Sequence, residues 1–249
     1  MSPIVTERLD AGAYPCTGIN NFALRFKRGL LSTPFFLPPR LIYCSQRPMK
    51  ILAVSDFIEP LASDLLRDSV FADVELIISC GDLSPDYLSA LHRAFAAPLY
   101  YIRGNHDIRY ESSPPKNGFD IHTQVVPFKG LTILGLEGSH WYNGGPLQYT
   151  ESQMRQTIRL LGSRLRRRGR LDIVATHAPP RHIHDSQDLC HRGFQAYNRL
   201  IDRYRPRYFL HGHIHRRFND PAERITRIGK TQVINCSGYY LLDVDTNHA

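Results

Sequence analysis

The sequence lacks the features of a membrane-spanning protein and those of a disulfide-bonded secreted one. No apolar run approaches the ~18 residues that a transmembrane helix needs, and the first ten residues have neither the basic start nor the apolar centre of a signal peptide. The five cysteines are odd in number and scattered, without a CxxC pair. We therefore expect reduced thiols in a cytoplasmic protein, and neither a disulfide framework nor a zinc finger.

Aromatic side chains are missing from the most basic stretch. The chain of 249 residues carries a net charge of +8, which fits an anionic substrate. Much of the excess lies on one predicted helix and its exit, at Arg155, Arg159, Arg164, Arg166, Arg167, Arg168 and Arg170. Because a nucleic-acid groove needs aromatic residues between its basic ones, we interpret this run as a solvated helix face.

The first 48 residues lack the regular apolar pattern of the rest. They contain six prolines and a short basic amphipathic patch around Phe26. We predict an N-terminal extension of uncertain order over 1–48 and one domain over 49–249, because strand and helix patterns become regular from Met49 onward. Two alternatives for the extension are a peripheral membrane or partner contact through the patch, and a translation start at Met49.

Polar side chains follow two apolar strands that a helix connects. The strand Leu76–Cys80 ends at Asp82, a helix begins near Ser84, and the strand Leu99–Ile102 leads into Gly104-Asn105-His106-Asp107. A strand–helix–strand connection gives parallel strands whose carboxyl ends share one edge of the sheet. Open α/β sheets place ligands at that edge. We therefore expect these oxygen and imidazole groups to converge on a divalent metal.

Three further strands end in the same kinds of side chain. Asp56 follows the first buried strand, His177 follows Leu171–Thr176, and the pair His213 and His215 follows Arg207–Leu210. A lone histidine is most often structural or exposed, but acidic and imidazole groups directly after successive strands form a metal-ligand set. Four more histidines lie in loops that could overhang this edge, namely His140, His182, His184 and His191.

In order and spacing these motifs resemble the signature of the calcineurin-like metallophosphoesterases, nearest to the bacterial branch that includes the class III cyclic-nucleotide phosphodiesterases. The segments that carry the resemblance are Asp56, Gly81-Asp82, Gly104-Asn105-His106-Asp107, Thr176-His177 and Gly212-His213-Ile214-His215. The resemblance implies an α/β (α+β) fold, a four-layer sandwich of two mixed β-sheets flanked by helices. It also implies two divalent metal ions, with manganese, iron and zinc as candidates.

The resemblance further implies a role for each motif residue, with Asp82 as the carboxylate that bridges both metals. The other ligands divide into two sets, Asn105, His177 and His213 for one metal, and Asp56 and His215 for the other. His106 would contact the phosphate and protonate the leaving oxygen, and Asp107 or Asp86 would orient it. Two such metals clamp a phosphate and lower the pKa of a bound water, which supplies a hydroxide for in-line attack.

One departure from the family pattern affects the metal site. The first family motif is Asp-x-His, whereas this chain has Asp56-Phe57-Ile58. An aliphatic side chain cannot ligate a metal, so we predict that Ile58 weakens one of the two sites, with Glu59 as a candidate substitute ligand. A second departure is Pro85, which stands where phosphoprotein phosphatases have the aspartate that orients the catalytic histidine.

We therefore expect a metal-dependent phosphoric ester hydrolase that acts on a small phosphodiester or phosphomonoester, with a cyclic nucleotide among the candidates. The proline-stiffened loop after His177 offers Arg181, His182 and His184 as substrate contacts, with exposed loop charge as the equal alternative. Two rival functions are a scaffold or binding protein of the same fold without catalysis, and a nuclease. The oligomeric state and the native metal are left open.

Overall fold

Two large β-sheets make up most of the described chain. The structure, a computed structural model, describes residues 47–60, 69–216 and 218–245. Its strands are β1 (Met49–Ser55), β2 (Val74–Ser79), β3 (Leu99–Tyr101), β4 (Gly118–Asp120), β5 (Val125–Phe128), β6 (Leu131–Leu136), β7 (Ser139–His140), β8 (Gln148–Tyr149), β9 (Ile173–Thr176), β10 (Tyr208–His211), β11 (Ile225–Ile228), β12 (Thr231–Asn235) and β13 (Gly238–Val244). Its α-helices are α1 (Pro85–Phe95), α2 (Glu151–Arg168) and α3 (Gln195–Tyr204). The predicted extension over 1–48 lies almost entirely outside the described residues.

Both sheets are mixed, as predicted. The first has the order β13-β1-β2-β3-β4, with β1 to β4 parallel and β13 antiparallel to β1. The second has the order β11-β12-β10-β9-β6-β5, with four central parallel strands and an antiparallel strand at each edge. Strands β5 and β6 form a hairpin, joined by Lys129 and Gly130. Because parallel strands require crossover connections, their carboxyl ends fall together at one edge of each sheet.

The two sheets pack face to face around one apolar core. Alternate side chains of a strand point to opposite faces, so Ile51 and Ala53 of β1 enter the core that also contains Ile173 and Ala175 of β9. All four are fully buried. Full burial of a large aliphatic side chain, such as that of Ile51 or Ile173, contributes about 1.5–3 kcal/mol to the stability of the fold. This shared core fixes the strand ends of one sheet relative to those of the other.

The outer faces of both sheets are covered by helices. Leu52 of β1 packs in a cluster with Leu88 of α1. Val174 of β9 packs in a separate cluster with Leu161 of α2 and Tyr197 of α3. The layers therefore run helix, sheet, sheet, helices, which confirms the predicted four-layer sandwich. In the described part of the chain no helix is long and apolar enough to cross a bilayer.

Side chains cap two of the three described α-helices. Ser84 caps α1, and Thr150 with Gln153 forms a capping box at the start of α2. Helix α3 begins at Gln195 without a side-chain cap. The preceding residues instead extend alongside Pro179 and Pro180, where Phe194 donates its N–H to the Pro179 carbonyl at 3.1 Å.

Candidate metal centre

The strand ends of both sheets bring the predicted ligands into two overlapping groups. In each group the ligand atoms lie within 4.8 Å of one another, and the groups are Asp82, His177 and His213, and Asp56, Asp82 and His215. Asp82 belongs to both groups. The Asn105 side chain joins the first, with its Oδ1 3.1 Å from His177 Nε2. One carboxylate is therefore placed between two candidate cation positions.

Two glycines allow the strand ends to approach this closely. A Cβ on Gly104 would lie 2.1 Å from Asp82 Oδ1, and a Cβ on Gly212 would lie 1.9 Å from Ser55 Oγ. Neither contact could be relieved without moving backbone, because the side chains involved are themselves buried or at the cluster. The glycines of the Gly-Asn-His and Gly-His-x-His motifs thus keep room for Asp82 and Asp56.

Three of the clustered residues have left-handed backbone conformations. The φ angles are 63° at Asp56, 57° at Asp82 and 67° at His213. Such conformations cost roughly 1–3 kcal/mol each and concentrate at functional sites. The backbone N–H of His213 also donates to both carboxylate oxygens of Asp56, at 3.0 and 3.1 Å. The cluster is therefore held by backbone as well as by side-chain contacts.

Backbone carbonyls set the tautomers of the two buried histidines. His177 Nδ1 lies 2.8 Å from the Cys80 carbonyl, and His213 Nε2 lies 2.8 Å from the Cys190 carbonyl. A carbonyl can only accept, so each of these ring nitrogens carries the hydrogen. In the neutral rings the other nitrogen, Nε2 of His177 and Nδ1 of His213, then presents a lone pair to the cluster. Metal-ligating histidines are fixed in the same way.

Four atoms with lone pairs face one another at the centre of the cluster. His177 Nε2 lies 3.1 Å from His213 Nδ1, 3.1 Å from Asn105 Oδ1 and 3.2 Å from Asp82 Oδ2. Asp82 Oδ2 is buried and takes part in no hydrogen bond. A single proton on His177 could satisfy only one of these three contacts, whereas a divalent cation could be bound by all four atoms. The residues present therefore fit a metal ion.

The electrostatics of the cluster also favour a positive charge at its centre. Burial alone lowers the pKa of His177, but the Asp82 carboxylate outweighs burial and raises that pKa to about 9. Burial, reinforced by the neighbouring His177, lowers the pKa of His213 to about 3. For Asp82, burial raises the pKa, yet His177 and the backbone N–H of His106 hold it well below its usual range. The ionised Asp82 carboxylate and the neutral His213 ring together favour one positive charge between them.

The second ligand group is more open than the first. His215 Nε2 lies 3.5 Å from Asp56 Oδ1, and the His215 side chain is 48% exposed. A hydrogen bond to Asp56 raises the pKa of His215. Ile58, at the position of the missing imidazole, is 63% exposed. Glu59 lies beside Gly238 and lines a separate pocket, so in the described residues this group has three ligands.

His106 and Asp107 occupy different positions relative to the cluster. The backbone N–H of His106 donates to Asp82 Oδ1 at 2.9 Å, while its ring is exposed. Asp107 Oδ2 accepts from the backbone N–H groups of Asp82, at 2.7 Å, and Gly104, at 2.8 Å. Burial, followed by the charge of Asp82, raises the pKa of Asp107 to about 6. Among the described residues no hydrogen bond joins Asp107 to the His106 ring, and Asp86 is exposed on α1.

The three residues predicted to contact the substrate differ in their surroundings. Arg181 is largely buried and forms an ion pair with Asp185. His184 Nδ1 lies 2.8 Å from Nε2 of the fully buried His211, so that ring turns toward the second sheet. His182 is exposed. A direct role in substrate binding stays a prediction for all three.

Three other residues overhang the cluster. The Tyr142 hydroxyl lies 3.3 Å from Asn105 Nδ2. The His191 ring lies 5.2 Å from the His213 ring and 6.4 Å from the His215 ring. Cys190, next to it, holds His213 through its carbonyl. His191 was a candidate by its loop position alone, and no motif in the sequence points to Tyr142 or Cys190.

Comparison with known proteins identifies the family. The family model described as calcineurin-like phosphoesterase matches residues 49–217, which is more than half of the chain. The narrower resemblance to the class III phosphodiesterase branch stays a prediction. Comparison with curated proteins gave no significant match.

Several solved structures are similar to the chain at low sequence identity. The protein TT1561 of Thermus thermophilus is similar with a TM-score of 0.55 and 18% identity, over 79% of this chain and 94% of that one. A putative 5'-nucleotidase from Staphylococcus aureus gives a TM-score of 0.49 and 15% identity, over 79% and 51%. Vps29 from Entamoeba histolytica, complexed with zinc, gives 0.40 and 11%, over 80% and 88%. With its family model, its sandwich and its clustered strand-end ligands, the chain belongs to the calcineurin-like phosphoesterase family.

Proposed function

We propose that this protein is a metal-dependent phosphoesterase whose reaction takes place at the two ligand groups that share Asp82. The observation that carries the proposal is the position of this carboxylate, which lies in both groups and has a buried oxygen without a hydrogen bond. Asp82, Asn105, His177 and His213 would hold one divalent ion, and Asp56, Asp82 and His215 the other. Manganese, iron and zinc all suit a set of carboxylate, amide and imidazole ligands.

The side chains around the ligand groups would have different roles in phosphoester cleavage. Bound metals supply charge neutralisation for the phosphate and a water of lowered pKa. His106 presents an exposed ring next to Asp82 and would donate a proton to the leaving oxygen. Tyr142 and His191 overhang the same space and would contact the phosphoester. Asp107 would act indirectly, because its carboxylate fixes the backbone of Asp82 and Gly104.

The substrate that we propose is a small phosphodiester, with cyclic nucleotides among the candidates and a phosphomonoester as the alternative to be tested. A cytoplasmic setting is consistent with the free thiols of Cys80, Cys190 and Cys236 in the described residues. A scaffold without catalysis is the second candidate function. It is favoured by one observation, the replacement of a ligand imidazole by the exposed Ile58.

Hydrolysis of bis-p-nitrophenyl phosphate under a manganese titration tests the proposal against the scaffold alternative. We expect manganese-dependent turnover by the unmodified chain and none by Asp82→Asn. The matched control is Asp243→Asn, which changes an exposed aspartate of β13 and should leave turnover unchanged. A folded, metal-loaded protein that cleaves neither this diester, p-nitrophenyl phosphate nor cyclic AMP would favour the scaffold. Degradation of nucleic acid at a higher rate than the small diester would instead favour a nuclease.

A further inference from the structure

The groove between α2 and α3 is lined by arginines from both helices. It encloses about 510 Å³, and its basic residues are Arg155, Arg159 and Arg166 of α2 and Arg199 and Arg203 of α3. The floor is made of small and apolar side chains together with the half-buried Tyr204. No residue of the strand-end ligand groups lines it. The groove is thus a feature of its own and not a part of the metal centre.

The arginines converge because of their spacing on the two helices. Arg155 and Arg159 are four residues apart on α2, as are Arg199 and Arg203 on α3. Like charges at this spacing repel one another and destabilise a helix, and the arginines of the facing helix add to the repulsion. The folding of this region does not need them, since the apolar faces of both helices are buried against the second sheet. All five arginines are exposed, so their charges are available to an external anion.

No carboxylate of the described structure is paired with these arginines. Among residues 47–60, 69–216 and 218–245, the five groove arginines form neither an ion pair nor a hydrogen bond with a carboxylate. Other arginines of the same structure are paired, such as Arg103 with Glu137 and Arg181 with Asp185. The remaining N-terminal stretch, residues 1–46, has five basic and two acidic residues, so its composition does not complement the groove.

The centre of the groove is open and lined with hydrogen-bond donors. A Cβ on Gly162 would lie 3.4 Å from Arg166 Nη1 and 3.5 Å from the Tyr204 hydroxyl. The Arg203 guanidinium lies 5.5 Å from the centre of the Tyr204 ring. Guanidinium groups bind phosphate oxygens through two parallel hydrogen bonds. The volume is that of a pocket for a small molecule, and the groove lacks the row of aromatic side chains on which a nucleic-acid strand would stack.

We infer that this groove is a binding site for a compact anion that carries several phosphate groups. The guanidinium groups of the two helices bind its phosphates from both sides. Inorganic polyphosphates and nucleoside polyphosphates share this chemistry, and the apolar floor with Tyr204 would add affinity for a nucleoside. The site is independent of the proposed hydrolysis at the metal centre.

Titration calorimetry of the full chain with inorganic tripolyphosphate, and separately with magnesium-free ATP, tests this inference. We expect the double variant Arg159→Gln/Arg203→Gln, which removes one cation from each wall, to weaken binding by about tenfold or more. The control Arg167→Gln/Arg168→Gln removes the same charge from α2 outside the groove and should change affinity less than about twofold, the size of long-range charge effects at physiological salt. Asp82→Asn should bind tripolyphosphate as the unmodified chain does, which excludes the metal centre as the site.

Circular dichroism must first show that the variants are folded. Each binding result then supports or overturns the inference. Tighter binding of ATP than of tripolyphosphate supports a nucleoside polyphosphate, and equal binding supports an inorganic one. Equal weakening by the two double variants would overturn the inference, because binding would then follow the charge of the whole face. So would tighter binding of a short deoxythymidine oligonucleotide than of either anion, or no binding of either anion.

Discussion

At the scale of single residues, the left-handed conformation of Asp82 decides which substitution is informative. Asparagine and aspartate tolerate this backbone region better than most residues, so Asp82→Asn keeps the local fold while it removes the charge. The same holds for Asp56, which has a similar φ. An alanine at either position would combine loss of a ligand with backbone strain.

His106→Ala should lower the turnover rate without changing metal binding. Only the backbone N–H of His106 contacts Asp82, and its ring is exposed. We therefore expect unchanged metal content and a turnover lower by roughly 10²–10⁴-fold, the usual effect of a lost general acid. Steady-state kinetics together with elemental analysis of the same sample measure both quantities. Loss of metal from this variant would make His106 a ligand instead.

Ile58→His should strengthen the more exposed of the two metal positions. In the unmodified chain that position has Asp56, Asp82 and the half-exposed His215, so after dialysis we expect close to one metal ion per chain. An imidazole at position 58 should retain the second ion and lower the manganese concentration needed for activity. Ile58→Leu, which adds no ligand, is the control. Two tightly held ions in the unmodified chain would mean that another group already serves as the ligand.

At the scale of elements, Glu137 links the ends of the two sheets. This buried carboxylate at the end of β6 lies 2.8 Å from Arg103 Nε, which follows β3, and 2.6 Å from the Tyr149 hydroxyl of β8. Arg103 directly precedes the Gly104-Asn105 segment of the metal centre. The link therefore determines where Asn105 lies relative to the second sheet.

Glu137→Gln should destabilise the protein markedly. The substitution leaves the largely buried Arg103 with only the exposed Glu111, 3.7 Å away, as a charge partner. Removing the buried partner of such a pair costs about 3 kcal/mol. The control is Glu75→Gln, which breaks a more exposed pair with Lys129 and should cost no more than about 1 kcal/mol. Urea unfolding of both variants and of the unmodified chain gives the three free energies. Equal losses in the two variants would contradict the structural role of Glu137.

The strands and their terminal ligands could be predicted from the sequence because each ligand directly follows an apolar run. Asp82 after β2 and His177 after β9 are of this kind. The loop between His177 and α3 could not be predicted, since its shape depends on contacts between distant residues. The Cys190 carbonyl that fixes His213, 23 residues away, is one example, and the turning of His184 toward His211 is another. Neither contact has a periodic pattern.

At the scale of the whole molecule, the described core begins with β1 at Met49, and the family match begins at the same residue. A chain that starts at Met49 should therefore unfold in one cooperative transition, within a few degrees of the full chain, and bind the same number of metal ions. Thermal unfolding followed by circular dichroism, with metal analysis, measures both. A truncated chain that is unfolded, or that loses metal, would make residues 1–48 a part of the domain.

The central claim is that one carboxylate serves two cations, and manganese titration calorimetry of the metal-stripped chain tests it most directly. We expect two manganese ions per unmodified chain, the second bound more weakly than the first. Asp82→Asn should lose the tight site and the weak site together, because both ligand groups contain this residue. Circular dichroism must show that the variant is folded. Unchanged binding by Asp82→Asn, or no manganese binding by the unmodified chain, would contradict the account.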